Sequence, residues 1–213
     1  MTSLEKNITY TITNSYSTLN ELTEKTKRVW MVFHGMGHLS TYFIRYFNEL
    51  PVEENYIIAP QAQSKYYLND SYTHVGASWL TKNNTEEGID NVLEYIDIVF
   101  SSEKIPKRCE LIVLGFSQGV SIATRWVAKR KINCSHLVLY AGSLPNELVS
   151  ADFLHLINHQ AKITYIIGDK DTYINEERKH HEGEKAELLF QGKAVQVVFD
   201  GGHEIKKEII NTL

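Results

Sequence analysis

Six short apolar runs limit what this chain can fold into more than any other feature. They are Val29–Phe33, Tyr56–Ala59, Leu111–Leu114, His136–Tyr140, Ile163–Ile167 and Val195–Phe199. Each has the length of a strand and is apolar at successive positions, so each needs cover on both faces. Between them, apolar residues recur at steps of three and four. Ile89, Val92, Leu93, Ile96, Val99 and Phe100 form one such stripe. Val120, Ala123, Trp126 and Val127 form a second, and Tyr42, Phe43, Tyr46, Phe47 and Leu50 a third that Pro51 limits. This period is that of a helix with one buried face. Glu176–Phe190 and Glu204–Leu213 read as further helices. Alternating strands and helices predict an α/β fold of three layers, a mainly parallel sheet with helices on both faces. Ile8–Thr13 alternates in the strand period and is read as an antiparallel edge strand. The 213 residues, 43% of them hydrophobic, suit a single domain over 1–213. Between Tyr140 and Ile163 there is room for one helix and its loops, so no large lid domain is expected.

The net charge of -4 gives no reason to expect nucleic acid as a partner. No apolar run approaches the roughly 20 residues that span a bilayer. The N-terminal MTSLEKNITYTITN has no charged-then-apolar signal pattern. A cytoplasmic protein without stable membrane insertion is expected; monomer and homodimer both remain open. Cys109 and Cys134 lack metal-ligand spacing and read as free thiols. No metal or organic cofactor is implied.

In parallel sheets of this kind, sites form at the carboxyl ends of the strands. The loops there read His34-Gly35-Met36-Gly37, Gly115-Phe116-Ser117-Gln118-Gly119, Gly168-Asp169-Lys170-Asp171 and Asp200-Gly201-Gly202-His203. A serine between two glycines, closing a strand and opening a helix, suits a sharp turn that exposes its hydroxyl. A serine hydroxyl is a weak nucleophile unless a base takes its proton and a carboxylate orients that base. Ser117, an aspartate after Ile167, and His203 supply those types in the order Ser, Asp, His. Asp169 and Asp171 both follow the strand, with Asp169 suited to capping the turn and Asp200 a minor alternative acid. His180 and His181 belong to a charged run that reads as a solvated helix face. His34 reads as a histidine bracing its loop. Tyr66, Tyr67, Tyr72 and Trp79 lie in what reads as the longest irregular segment, Tyr66–Trp79, and form a candidate apolar wall for a substrate.

These four loops, with Ala59-Pro60 and Ala77-Ser78-Trp79-Leu80, resemble the α/β-hydrolase superfamily, and in particular its small phospholipase/carboxylesterase group, which includes the acyl-protein thioesterases. The resemblance runs from about Val29 to His203. It implies Ser117 as nucleophile, His203 as base and Asp171 as acid, with the backbone N–H groups of Met36 and Gln118 as an oxyanion hole. The chain departs from the group's pattern at Leu80-Thr81, at Thr172-Tyr173-Ile174 and at His38-Leu39. The activity expected is a carboxylesterase on short or medium acyl chains, its partner a small ester or thioester. A thioesterase or lysophospholipase shares that chemistry, an acyltransferase would use the same turn, and a non-catalytic binding module could keep the fold.

Overall fold

Each continuous apolar run becomes a strand, and all but Val195–Phe199 are covered on both sides; that run is the sheet's last strand, and Val195 and Val198 stay exposed on its open edge. The computed structural model describes residues 3–213. In chain order the strands are β1 (Tyr16–Leu19), β2 (Arg28–Phe33), β3 (Asn55–Pro60), β4 (Ser64–Tyr67), β5 (Val75–Ser78), β6 (Glu110–Phe116), β7 (His136–Tyr140), β8 (Lys162–Gly168) and β9 (Ala194–Phe199). The helices are α1 (Ser40–Phe43), continued by a 3-10 turn over Ile44–Phe47, then α2 (Thr85–Ser102), α3 (Gln118–Arg130), α4 (Leu154–Asn158), α5 (Glu176–Leu189) and α6 (Lys207–Ile210). Seven strands form the sheet in the order β1-β3-β2-β6-β7-β8-β9. Only β1 runs antiparallel, on β3.

The pleat of β2 shows why its sequence is apolar throughout. Val29, Met31 and Phe33 enter a core shared with Ile89, Val92 and Ile96 of α2 and with Trp126 of α3. Trp30 and Val32 point the other way, against Phe43, Phe47 and Ile210. Two cores on two faces are the three layers. Trp126 is fully buried and donates from Nε1 to Asp97 Oδ1 at 2.9 Å. Truncating a tryptophan so placed costs about 3–5 kcal/mol. The link from β7 to β8 holds only a 3-10 turn at Ser150–Phe153 and α4, so no large lid interrupts the fold. No helix among the described residues is long and apolar enough to cross a membrane.

Three local expectations are corrected. Ile8–Thr13 is irregular, and Ile8, Tyr10 and Ile12 are 87%, 75% and 59% exposed. Alternation makes a strand only where one face has a core to cover; the antiparallel edge lies later, with Tyr16 opposite Pro60 and Leu19 opposite Ile57. Tyr66–Trp79 is not irregular, because β4 and β5 pair across it as a hairpin. Its turn is organised by Asn69, whose Oδ1 accepts from the Thr73 N–H at 3.3 Å, and by Tyr72 in the left-handed region at φ 55°. The last helix is a single turn rather than Glu204–Leu213. Lys206 is still extended, its N–H donating to the Tyr140 hydroxyl at 3.2 Å, while Ile205 is buried in the second core. That burial holds the chain extended before it can coil.

Candidate active site

The strand-to-helix turn after β6 exists because two glycines permit it. A Cβ on Gly119 would lie 2.1 Å from the Phe33 carbonyl oxygen, and one on Gly115 would lie 2.4 Å from that of Gly119. Nothing but hydrogen fits at either position, so α3 starts almost in contact with β2. Ser117 at the apex takes φ 53°, ψ -119°, a costly conformation for a residue with a side chain. Its N–H donates to the Tyr140 carbonyl at 2.9 Å, which fixes the apex against β7.

The loops after β8 and β9 bring two more side chains to it. His203 Nδ1 lies 2.7 Å from Asp171 Oδ2, and His203 Nε2 lies 2.8 Å from Ser117 Oγ. An ionised carboxylate only accepts, so Nδ1 carries the hydrogen and Nε2 is left to accept from the hydroxyl. The Asp171 side chain is wholly buried. Its Oδ1 accepts from the N–H groups of Tyr173 and Ile174 at 2.8 and 3.1 Å. The rings of Phe116 and Tyr173 flank His203, at 5.4 and 4.8 Å. The neighbouring aspartates do other work. Asp169 Oδ1 accepts from the Gly201 N–H at 2.9 Å and ties the two loops together, whereas Asp200 pairs with Lys170 at the surface.

On the other side of Ser117 lies the loop after β2. Among the described residues, neither the Met36 nor the Gln118 N–H has an acceptor. The loop beneath them is strongly braced. His34 is fully buried, with Nδ1 2.8 Å from the Gly35 carbonyl oxygen and Nε2 accepting from the Ala62 N–H at 3.1 Å. Burial pushes its imidazole down to about 4, so it is neutral. The Gln118 side chain is pinned too: Oε1 accepts from the Trp79 N–H at 2.9 Å and Nε2 donates to the Leu80 carbonyl at 2.8 Å. Those bonds account for the Ser78-Trp79-Leu80 pattern. β5 seals the loop, with the Gly37 N–H donating to the Ala77 carbonyl at 2.9 Å.

The four aromatic candidates separate. Trp79 is buried and donates from Nε1 to the His34 carbonyl at 2.8 Å, so it forms the floor of the loop rather than a wall of the cleft. The Tyr66 hydroxyl lies over Gly37, 3.8 Å from where a Cβ would be. Tyr67 and Tyr72 meet edge to face at 5.1 Å near the hairpin turn. The hairpin's contribution is instead Leu68 and Val75. Together with Leu39, Tyr42, Phe43 and Tyr46 they line a hollow of about 790 Å³ that begins at Gly37 and His38. His38 stacks on Phe116 at 5.6 Å, and burial together with nearby His203 lowers its imidazole.

Ser117, Met36, Gln118 and His203 share an open cleft of about 410 Å³. Further polar residues line it that the sequence reading missed: Ser121, Tyr173, Ser143 and Arg178. Arg178 was hidden in a run read as a solvated helix face. The signal for it is topological: it stands in the first turn of the helix that follows the Asp171 loop, so the fold carries it to the same sheet edge.

A family model described as serine hydrolase (FSH1) matches residues 25–207. No curated relative matches the chain. Among solved structures, it is similar to acyl-protein thioesterase 2 of Zea mays, with 17% identity over 94% of this chain and 96% of that one and a TM-score of 0.69. It is also similar to a phospholipase/carboxylesterase of Dyadobacter fermentans, with 20% identity over 97% and 98% and a TM-score of 0.64. A third, esterase PE8, shares 18% identity over 94% and 96% with a TM-score of 0.66. At such identities these likenesses are of fold, and that fold is the α/β-hydrolase one.

Proposed function

For a chain that belongs to the FSH1 serine hydrolase family, as this one does, we propose a carboxylesterase that works through Ser117, His203 and Asp171. Ser117 Oγ attacks the ester carbonyl while His203 Nε2 takes its proton. The same imidazolium then gives that proton to the departing alkoxide, and Asp171 holds the ring and stabilises its charge. The tetrahedral oxyanion is received by the free N–H groups of Met36 and Gln118, one such donor contributing about 3 kcal/mol to the barrier reduction. Water, activated by His203, cleaves the acyl-enzyme. The observation that carries this reading is the unbroken line from Asp171 through His203 to Ser117, at 2.7 and 2.8 Å, inside an open cleft.

The hollow between the α1 segment and the β4–β5 hairpin supports a short or medium acyl chain, since Leu39, Phe43 and Leu68 line it, with Arg45 and Lys207 also on its wall, and it begins at Gly37, next to Met36. A thioester would be opened by the same groups, in keeping with the likeness to an acyl-protein thioesterase. The test is labelling by a fluorophosphonate probe, with Ser117→Ala alongside, followed by a chain-length profile on p-nitrophenyl esters. Labelling lost in the variant is the expected result. A folded wild-type chain that does not label would overturn the proposal.

A further inference from the structure

The arginines of this chain are accounted for except one. Arg28, Arg108, Arg125 and Arg130 each hold a carboxylate. Arg45 lies over the ring of Tyr42 at 4.9 Å. Arg178 has no carboxylate partner among the described residues, and it lines the cleft that holds Ser117. Its Nη1 donates to the Tyr173 carbonyl at 3.0 Å and its Nη2 to Ser143 Oγ at 2.7 Å. A guanidinium has five N–H donors, so two bonds fix the plane and the rest stay available.

The acids nearby are already committed. Asp171 spends one oxygen on two backbone amides and the other on His203. Glu182, buried on the same helix as Arg178, accepts from the Leu144 N–H at 2.9 Å. Glu176 pairs with Lys179 at 2.6 Å. Arg178 is therefore left without a direct ion pair, although the buried carboxylates of Asp171 and Glu182 share its surroundings.

Ser143 adds a second donor. It follows Ala141, which is held in the left-handed region at φ 50° while its N–H donates to the Ile166 carbonyl at 2.7 Å. That kink carries Ser143 toward the cleft. Its oxygen accepts from Arg178, so its own hydrogen is free to donate. A planar, always-charged fork beside a hydroxyl donor matches a carboxylate.

We propose that Arg178 and Ser143 form a carboxylate subsite, so that the enzyme's substrates are esters carrying an ionised carboxylate a short chain away from the scissile bond. The proposal rests on the esterase reading of Ser117. It predicts a substrate whose neutral end occupies the apolar hollow and whose charged end faces α5.

The test compares p-nitrophenyl hexanoate with p-nitrophenyl hemiadipate, and phenyl hexanoate with carboxyphenyl hexanoate. The first pair places the charge on the acyl group, the second on the leaving group. Wild type is expected to favour the charged member of one pair by about tenfold in kcat/KM, the range for a charge-assisted bond in an open cleft. In Arg178→Met that ratio collapses, mainly through KM, and Arg178→Lys restores part of it. A loss shared equally by charged and neutral esters would mean that Arg178 only ties Tyr173 to Ser143, and would overturn the subsite. So would a wild type indifferent to charge in both pairs while its Ser117 still labels. Failure of the labelling itself removes the esterase reading instead, so the two failures are distinct.

Discussion

The two flanks of Ser117 are built from different materials. On the β2 side the supports are dense: a buried neutral histidine, a half-buried glutamine with both amide ends bonded, a buried tryptophan beneath them and a hairpin on top. On the β8–β9 side, His203 stands on a loop of the edge strand. Val195 and Val198 of that strand are 58% and 57% exposed, and the helix beside it buries only Glu182, Ala186 and Leu189. A single buried carboxylate, Asp171, holds the His203 ring, the proposed base. Two backbone amides cannot be re-aimed by a rotamer change, so their whole loop must be rigid. An imidazole needs only one firm partner on its far nitrogen. The difference teaches where this fold spends its buried polar bonds.

The largest effect should come from separating the two flanks. In Asp171→Asn the base loses the partner that fixes its hydrogen on Nδ1, and kcat should fall by roughly 10⁴-fold. Because the Met36 side is untouched, a residual rate above that of water should survive, measurable with excess enzyme on p-nitrophenyl esters. A variant that folds yet retains no residual rate would break the comparison, since the amides would then contribute nothing alone.

Acid sharpens it from the other side. Burial holds the imidazoles of His34 and His136 down to about 4. The unfolded chain therefore binds protons that the folded chain refuses, and stability present above about 6.5 is lost as the pH falls toward 4. Each ring contributes on the order of 3 kcal/mol to that loss. Urea unfolding at pH 7 and at pH 4.5 reads it directly. His34→Leu should be less stable at pH 7, because the Ala62 N–H is left without an acceptor, yet its stability should vary less with pH. An unchanged pH dependence would show that burial does not hold His34 neutral, and an unchanged stability at pH 7 that it does not brace the loop.

The smallest effect belongs to the edge. Val195→Thr and Val198→Thr should each change the unfolding free energy by no more than about 0.5 kcal/mol and leave ester hydrolysis unaltered. A loss of several kilocalories at either position would mean that the β9 flank is as tightly built as the other.

The sheet was legible because its inner strands are covered twice: a run such as Val29–Phe33 has few other uses. The three residues on Ser117's line were legible because each lies in the loop that follows a strand. What escaped notice depended on tertiary partners. Ile8, Tyr10 and Ile12 carry a strand's alternation, but the edge of β3 is taken by Tyr16–Leu19. The hairpin at β4–β5 has too few apolar alternations to announce itself and is held by Asn69 and by the Gly37 loop. Arg178 sits among Glu176, Glu177, Lys179 and His180, and only the direction of the α5 start distinguishes it from those neighbours.

Ser117's backbone carries a further meaning. The angles φ 53°, ψ -119° are ones that glycine adopts at little cost and serine does not. Thermodynamic preference and chemistry therefore favour different residues at this one position. Under selection for robustness alone, lineages of this protein would drift toward glycine there, gaining heat tolerance as they lost the hydroxyl. A serine at such a place carries strain that glycine would relieve, and the proposed nucleophile gives that strain a use.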